Sequence, residues 1–120
     1  MLKEFANWAS KEKISAQTIL EAAIEVSNGL YDGDLGSGCY KKRIAAKGKG
    51  KRGGARTILS YKINNFAIFI YAYTKNKKSD LTPKEQKALK LYSKNVLMRL
   101  TENDLLTLIN NNEIVEVNYE

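Results

Sequence analysis

The stretch TILSYKINNFAIFIYAY, from Thr57 to Tyr73, decides the fold. Residues Thr57–Ile63 alternate between polar and apolar side chains, the period of a half-buried strand. Asn64-Asn65 follows, a pair that tolerates the positive φ of a two-residue hairpin turn. The chain then returns through Phe66–Tyr73, an uninterrupted apolar run rich in aromatic and β-branched residues. Such a run predicts a central strand covered on both faces. At eight residues it is far too short to span a bilayer.

Upstream of this hairpin, Tyr40–Ala45 reads as a third, half-polar strand. Residues 46–54 hold four glycines and four cations and read as a loop. Three strands in this order predict an antiparallel meander. Leu2, Phe5, Trp8 and Ala9 repeat at helical spacing and predict a short first helix. Ser15 is placed to cap a second helix that carries Ile19, Leu20, Ala23 and Ile24 and stops at Asn28-Gly29. The polar, glycine-rich residues 31–38 read as a loop, with Asp32 and Asp34 as turn residues that can also pair with Lys41 or Arg43.

Thr82-Pro83-Lys84-Glu85 combines an N-cap, a proline at the first helical position and a capping-box acid, and predicts a helix running to about Leu100. Thr101–Asp104 opens another, with Leu105, Leu108 and Ile109 inward. The tail Glu113–Val117 is a candidate edge strand. The order ααβββαα predicts an α+β fold, one domain over residues 1–120, with the helices against one face of a small antiparallel sheet.

Charge locates the function. The chain has 20 Lys+Arg against 13 Asp+Glu, a net charge of +7. Eight of the cations fall in Cys39–Arg56, CYKKRIAAKGKGKRGGAR, which has no acid; outside it 12 cations meet 13 acids. The excess positive charge is thus one glycine-punctuated segment, the footprint of a polyanion site, with nucleic acid the first candidate. Lys41 and Arg43 point from one face of the strand and Lys42 from the other. Arg56 opens the next strand and can grip a phosphodiester bidentately. Lys75 and Lys77 close the third strand. Lys47, Lys49, Lys51 and Arg52 add phosphate contacts, and Tyr40 and Tyr73, at strand ends beside the cations, are candidates for base stacking. Crowded lysines also lower one another's pKa, which opens a route to proton transfer near neutrality.

Other chemistries are excluded. The sequence has no histidine and one cysteine, Cys39. Zinc sites of the usual kind, Ser-His-Asp triads and histidine-based nuclease chemistry all fall away, and no metal or other cofactor is expected. Gly48–Gly54 imitates a phosphate-binding P-loop only in its glycines, because Gly54-Ala55 stands where Lys-Ser/Thr is needed. With no disulfide pair, no apolar leader and no membrane span, the expected compartment is the cytoplasm.

The segments FANWASKEKIS, NGLYDGDLGSGCYKKRIAAKGKGKRGGARTILSY, IFIYAYTKNKKSDLTPKE and ENDLLTLINNNEIVEVNY together resemble the RelE-like toxins of bacterial type II toxin–antitoxin systems, in the RelE/ParE/HigB superfamily. The resemblance covers nearly the whole chain. It implies a RelE-like fold and a toxin that cuts messenger RNA on the ribosome and so arrests translation. In that reaction a 2′-hydroxyl attacks the adjacent phosphate and leaves a 2′,3′-cyclic end, without a metal. It matches Lys41 and Arg43 to the paired strand cations, Arg56 to the arginine on the scissile phosphate, and Lys75 or Lys77 to the cation at the leaving oxygen. It implies as partner a cognate antitoxin, acidic or bearing a helix-turn-helix. Ala55 stands where an aromatic often precedes the arginine, and Leu81 stands near where a late tyrosine is usual; the activity of this copy turns on these departures. Relatives on the same scaffold inhibit DNA gyrase without cutting, so non-catalytic clamping is the alternative.

Overall fold

The structure, a computed structural model, describes residues 1–45, 54–74 and 78–117. One antiparallel sheet runs in the order β1 (Gly33–Gly36), β2 (Cys39–Ile44), β3 (Ala55–Lys62), β4 (Phe66–Thr74). The expected meander is β2–β3–β4. The additional strand is β1, from the segment expected to be a loop, and not the tail. Its four residues owe their strand geometry to pairing with β2. The tight β1–β2 turn has positive φ at Gly36, Ser37 and Gly38. A Cβ on Gly38 would lie 2.2 Å from Met98 Cε and 3.0 Å from the Tyr61 carbonyl, so glycine alone fits. Among the described residues the tail makes one bridge, Ile114 with Leu2.

The apolar run is an edge strand, contrary to the central placement its composition suggests. The central strands are β2 and β3, and Ala55–Ser60 of β3 are all buried. An apolar run reports covered faces, and β4 has them without a second strand neighbour. Helix α1 (Lys3–Lys11) lies along it, with the Phe5 and Phe69 rings 5.2 Å apart. The Leu2 N–H donates to the Phe69 carbonyl at 2.9 Å and occupies part of the exposed edge. A bulge moves the register from Ile58–Tyr71 to Leu59–Phe69 and leaves Ile70 as the extra residue. The β3–β4 connection is three residues, 63–65, with Asn64 alone at positive φ.

Helices cover both faces of the sheet, where one was expected. On the first, α1 and α2 (Ala16–Ser27) bury Phe5, Ala9, Ile19, Ala22 and Val26 against Ile44, Ala55, Leu59 and Phe69. Ser15 caps α2 by accepting from the Thr18 N–H at 3.1 Å. On the second, α3 (Pro83–Asn95) starts at the expected capping box of Thr82 and Glu85. It packs near Cys39, Ile58 and Leu81 through Leu89, and its Ser93 hydroxyl meets that of Ser60 at 2.7 Å, both buried. The helix stops at Asn95, and a 3-10 turn at Leu97–Arg99 replaces its expected last turn. Helix α4 (Glu102–Asn110) is capped by Thr101 and Asp104 and rests on half-buried Leu105, Leu108 and Ile109.

Candidate functional site

Strand alternation sorts the cations. Arg43 of β2 pairs with Arg56 of β3, and Arg56 pairs in turn with Tyr73 of β4. Lys41, two residues before Arg43, shares their face, the α3 side of the sheet. Two guanidinium groups directly across a strand pair repel each other. Arg43 is exposed, whereas Arg56 is only 8% exposed. Its Nη1 is buried with no hydrogen-bond partner among the described residues. A buried cationic donor without an acceptor is costly in a folded protein.

Asp80, in the segment entering α3, is the acid of this face. Its Oδ1 accepts from the Leu81 N–H at 2.8 Å and the Tyr73 hydroxyl at 3.0 Å, and faces Lys41 Nζ at 3.4 Å. These donors, the Leu81 N–H first, hold its carboxyl below the usual range. Burial, followed by the bond to Asp80, pushes the Tyr73 phenol up to about 12, while Arg56 opposes that shift. Lys41, Asp80 and Tyr73 are therefore joined by polar contacts, with Arg56 opposite Tyr73 and Arg43 beside it in register. Lys78 and Glu85 form a separate ion pair beside it.

A family model described as the RelE toxin of the RelE/RelB toxin–antitoxin system matches residues 1–117. The chain belongs to the RelE toxin family. It is a toxin of a toxin–antitoxin module, and its partner is an antitoxin. No solved structure matches it. Among the described residues, no helix is long and apolar enough to cross a membrane.

For this RelE-family toxin the expected site residues divide three ways. By register Lys41, Arg43 and Arg56 fall on one face of the sheet. Lys42 does not join them. It lies under α2, 6% exposed, donating to the Leu30 carbonyl at 2.9 Å and paired with Glu25 at 3.4 Å. Tyr40 shares that opposite face and packs on Tyr31 with ring centroids 4.6 Å apart. Tyr73 is on the cationic face but is 5% exposed and hydrogen-bonded, so it serves as a buried donor and offers no open ring for stacking. Lys47, Lys49, Lys51, Arg52, Lys75 and Lys77 lie outside the described residues.

Sequence reasoning missed Asp80, which has no motif to announce it. Asp32 and Asp34 prove to be backbone ligands: Asp32 accepts from the Arg43 N–H at 2.7 Å and Asp34 from the Gly36 N–H at 2.8 Å. Cys39 is fully buried, and burial pushes its thiol up to about 11. Beside Tyr73, at the β4 edge, a cleft of about 280 Å³ is lined by Trp8, Glu12, Tyr71, Ala72, Thr74 and Lys78. A larger concavity of about 590 Å³ between α1, the end of α3 and α4 is mostly apolar and away from the cations.

Proposed function

We propose that this toxin is an endoribonuclease that cuts messenger RNA on the ribosome and thereby arrests translation. The observation that carries the reading is Arg56, buried with an Nη1 that has no hydrogen-bond partner among the described residues and faced across the strand pair by Arg43. The reaction is attack of a ribose 2′-oxygen on the adjacent phosphorus. The bond to the 5′-oxygen breaks, leaving a 2′,3′-cyclic phosphate and a 5′-hydroxyl. The pentacoordinate transition state carries more charge on its equatorial oxygens than the ground state does. Arg56 and Arg43 stabilise that charge. Lys41 relays the proton taken from the 2′-hydroxyl, and Lys75 or Lys77 supplies one to the leaving oxygen. The reaction relies on cations because the sequence has no histidine to serve as base or acid. Lys47, Lys49, Lys51 and Arg52 hold flanking phosphates. The site of action is the cytoplasm, and an acidic or helix-turn-helix antitoxin covers the cations.

The test is induced expression in a bacterium of the wild type and Arg56→Ala, with 5′ ends of cellular messages mapped. Growth arrest with new cuts confined to translated messages, both lost in the variant, is the expected result. Arrest without cuts would replace this reading with clamping of nucleic acid or of a DNA-handling enzyme on the same face.

A further inference from the structure

We infer that Asp80 is a positioning residue for the cleavage reaction, acting through Lys41; this rests on the nuclease reading above. Lys41 is a flexible side chain on a face where Arg43 and Arg56 repel it. Its stem lies over Gly33, which leaves the ammonium to be aimed by its polar partner. Asp80 is the anion that holds it, at 3.4 Å, and the carboxylate is itself fixed by the Leu81 N–H at 2.8 Å and the Tyr73 hydroxyl at 3.0 Å. Both supports are rigid: Tyr73 is buried in β4 opposite Arg56, and Leu81 is buried just before the capped start of α3. All three contacts fall on Oδ1. The chain Tyr73–Asp80–Lys41 thus ties the lysine ammonium to the strand that carries the partner of Arg56. A proton relay needs its heavy atom within hydrogen-bond reach of the 2′-oxygen, and a displacement of about 1 Å can cost about 10²-fold in rate.

The arrangement sets binding and turnover against each other. Asp80 places a negative charge beside a phosphate-binding face, so it weakens RNA binding while aiming Lys41. Asp80→Asn removes the charge and frees Lys41 to meet a phosphate. The expected outcome is a single-turnover cleavage rate reduced about 10²-fold. Affinity for a 2′-O-methyl RNA, which cannot be cut, should be kept or raised, with the salt slope steeper by about 0.7 for one more phosphate contact on a single strand. Asp80→Glu should recover part of the rate. In a Lys41→Ala background, Asp80→Asn should cost nothing further, because the two act as a unit.

An unchanged rate in Asp80→Asn overturns the inference, as do additive losses in the double variant. Parallel loss of rate and affinity would reduce Asp80 to a folding role. If the wild type itself makes no cuts, the nuclease reading fails. The placement of Asp80 is then still tested, because its loss must bring the Tyr73 phenol down from about 12 in an ultraviolet titration.

Discussion

Under α1 and α2 the sheet meets an apolar layer, and Lys42, which points there, is tied to Glu25 and the Leu30 carbonyl. On the α3 side the same strands carry Lys41, Arg43 and Arg56, with a buried guanidinium nitrogen that has no hydrogen-bond partner among the described residues. Three consecutive positions, Lys41, Lys42 and Arg43, are divided between the two regimes by the pleat alone. On the first face the cation is paired and supports the fold; on the second, the buried Arg56 donor is costly to it.

The largest effect that sharpens this contrast is at Arg56. Arg56→Met should lower the cleavage rate by about 10³-fold, as loss of a transition-state donor does. It should leave the thermal midpoint unchanged or raised, because a buried, incompletely paired cation is replaced by an apolar side chain. A calorimetric melt beside a cleavage assay checks both halves. A large fall in midpoint would break the contrast.

The reverse case is Lys42→Ala. Removing the donor leaves the Leu30 carbonyl without its hydrogen bond, so stability should fall by about 1–3 kcal/mol in chemical denaturation, while cleavage per folded molecule holds.

Smaller is the pH signature of the Tyr73–Asp80 link. With its phenol pushed up to about 12 from the usual value near 10, Tyr73 favours the fold while neutral. That contribution is complete below pH 10 and is lost as pH rises toward 12. The last step of tyrosine ionisation in an ultraviolet titration should therefore belong to Tyr73 and vanish in Tyr73→Phe, while the upward shifts of Tyr40 and Tyr92 remain. Smallest is Cys39: its buried thiol, at about 11, should react with a disulfide reagent only on unfolding.

Much of this architecture was legible from local signals. Thr82-Pro83-Lys84-Glu85 and Ser15 announce their helices because capping is a matter of a few neighbouring residues. The polar Asn64-Asn65 pair between two strand-like runs announces the hairpin, although β3 is buried on both faces where Thr57–Ile63 read as half-buried, because helices cover both sides of it. What escaped depends on contacts distant in sequence. Gly33–Gly36 is a strand only because β2 lies beside it. Phe66–Thr74 is an edge because the chain near Leu2, and no further strand, covers it. Asp80 becomes the acid of the cationic face only when the segment entering α3 returns to β2 and β4, 39 positions from Lys41. Likewise Lys42 was legible as pointing away from Lys41, but that Glu25 and Leu30 would engage it was not.

The most direct test is a side-by-side cleavage assay of Lys41→Ala and Lys42→Ala with purified toxin, translating ribosomes and a defined message, rates normalised to folded protein. The account predicts that Lys41→Ala loses about 10²-fold in rate at nearly unchanged stability, while Lys42→Ala keeps its rate and loses stability. Equal losses in rate from the two neighbours would contradict it.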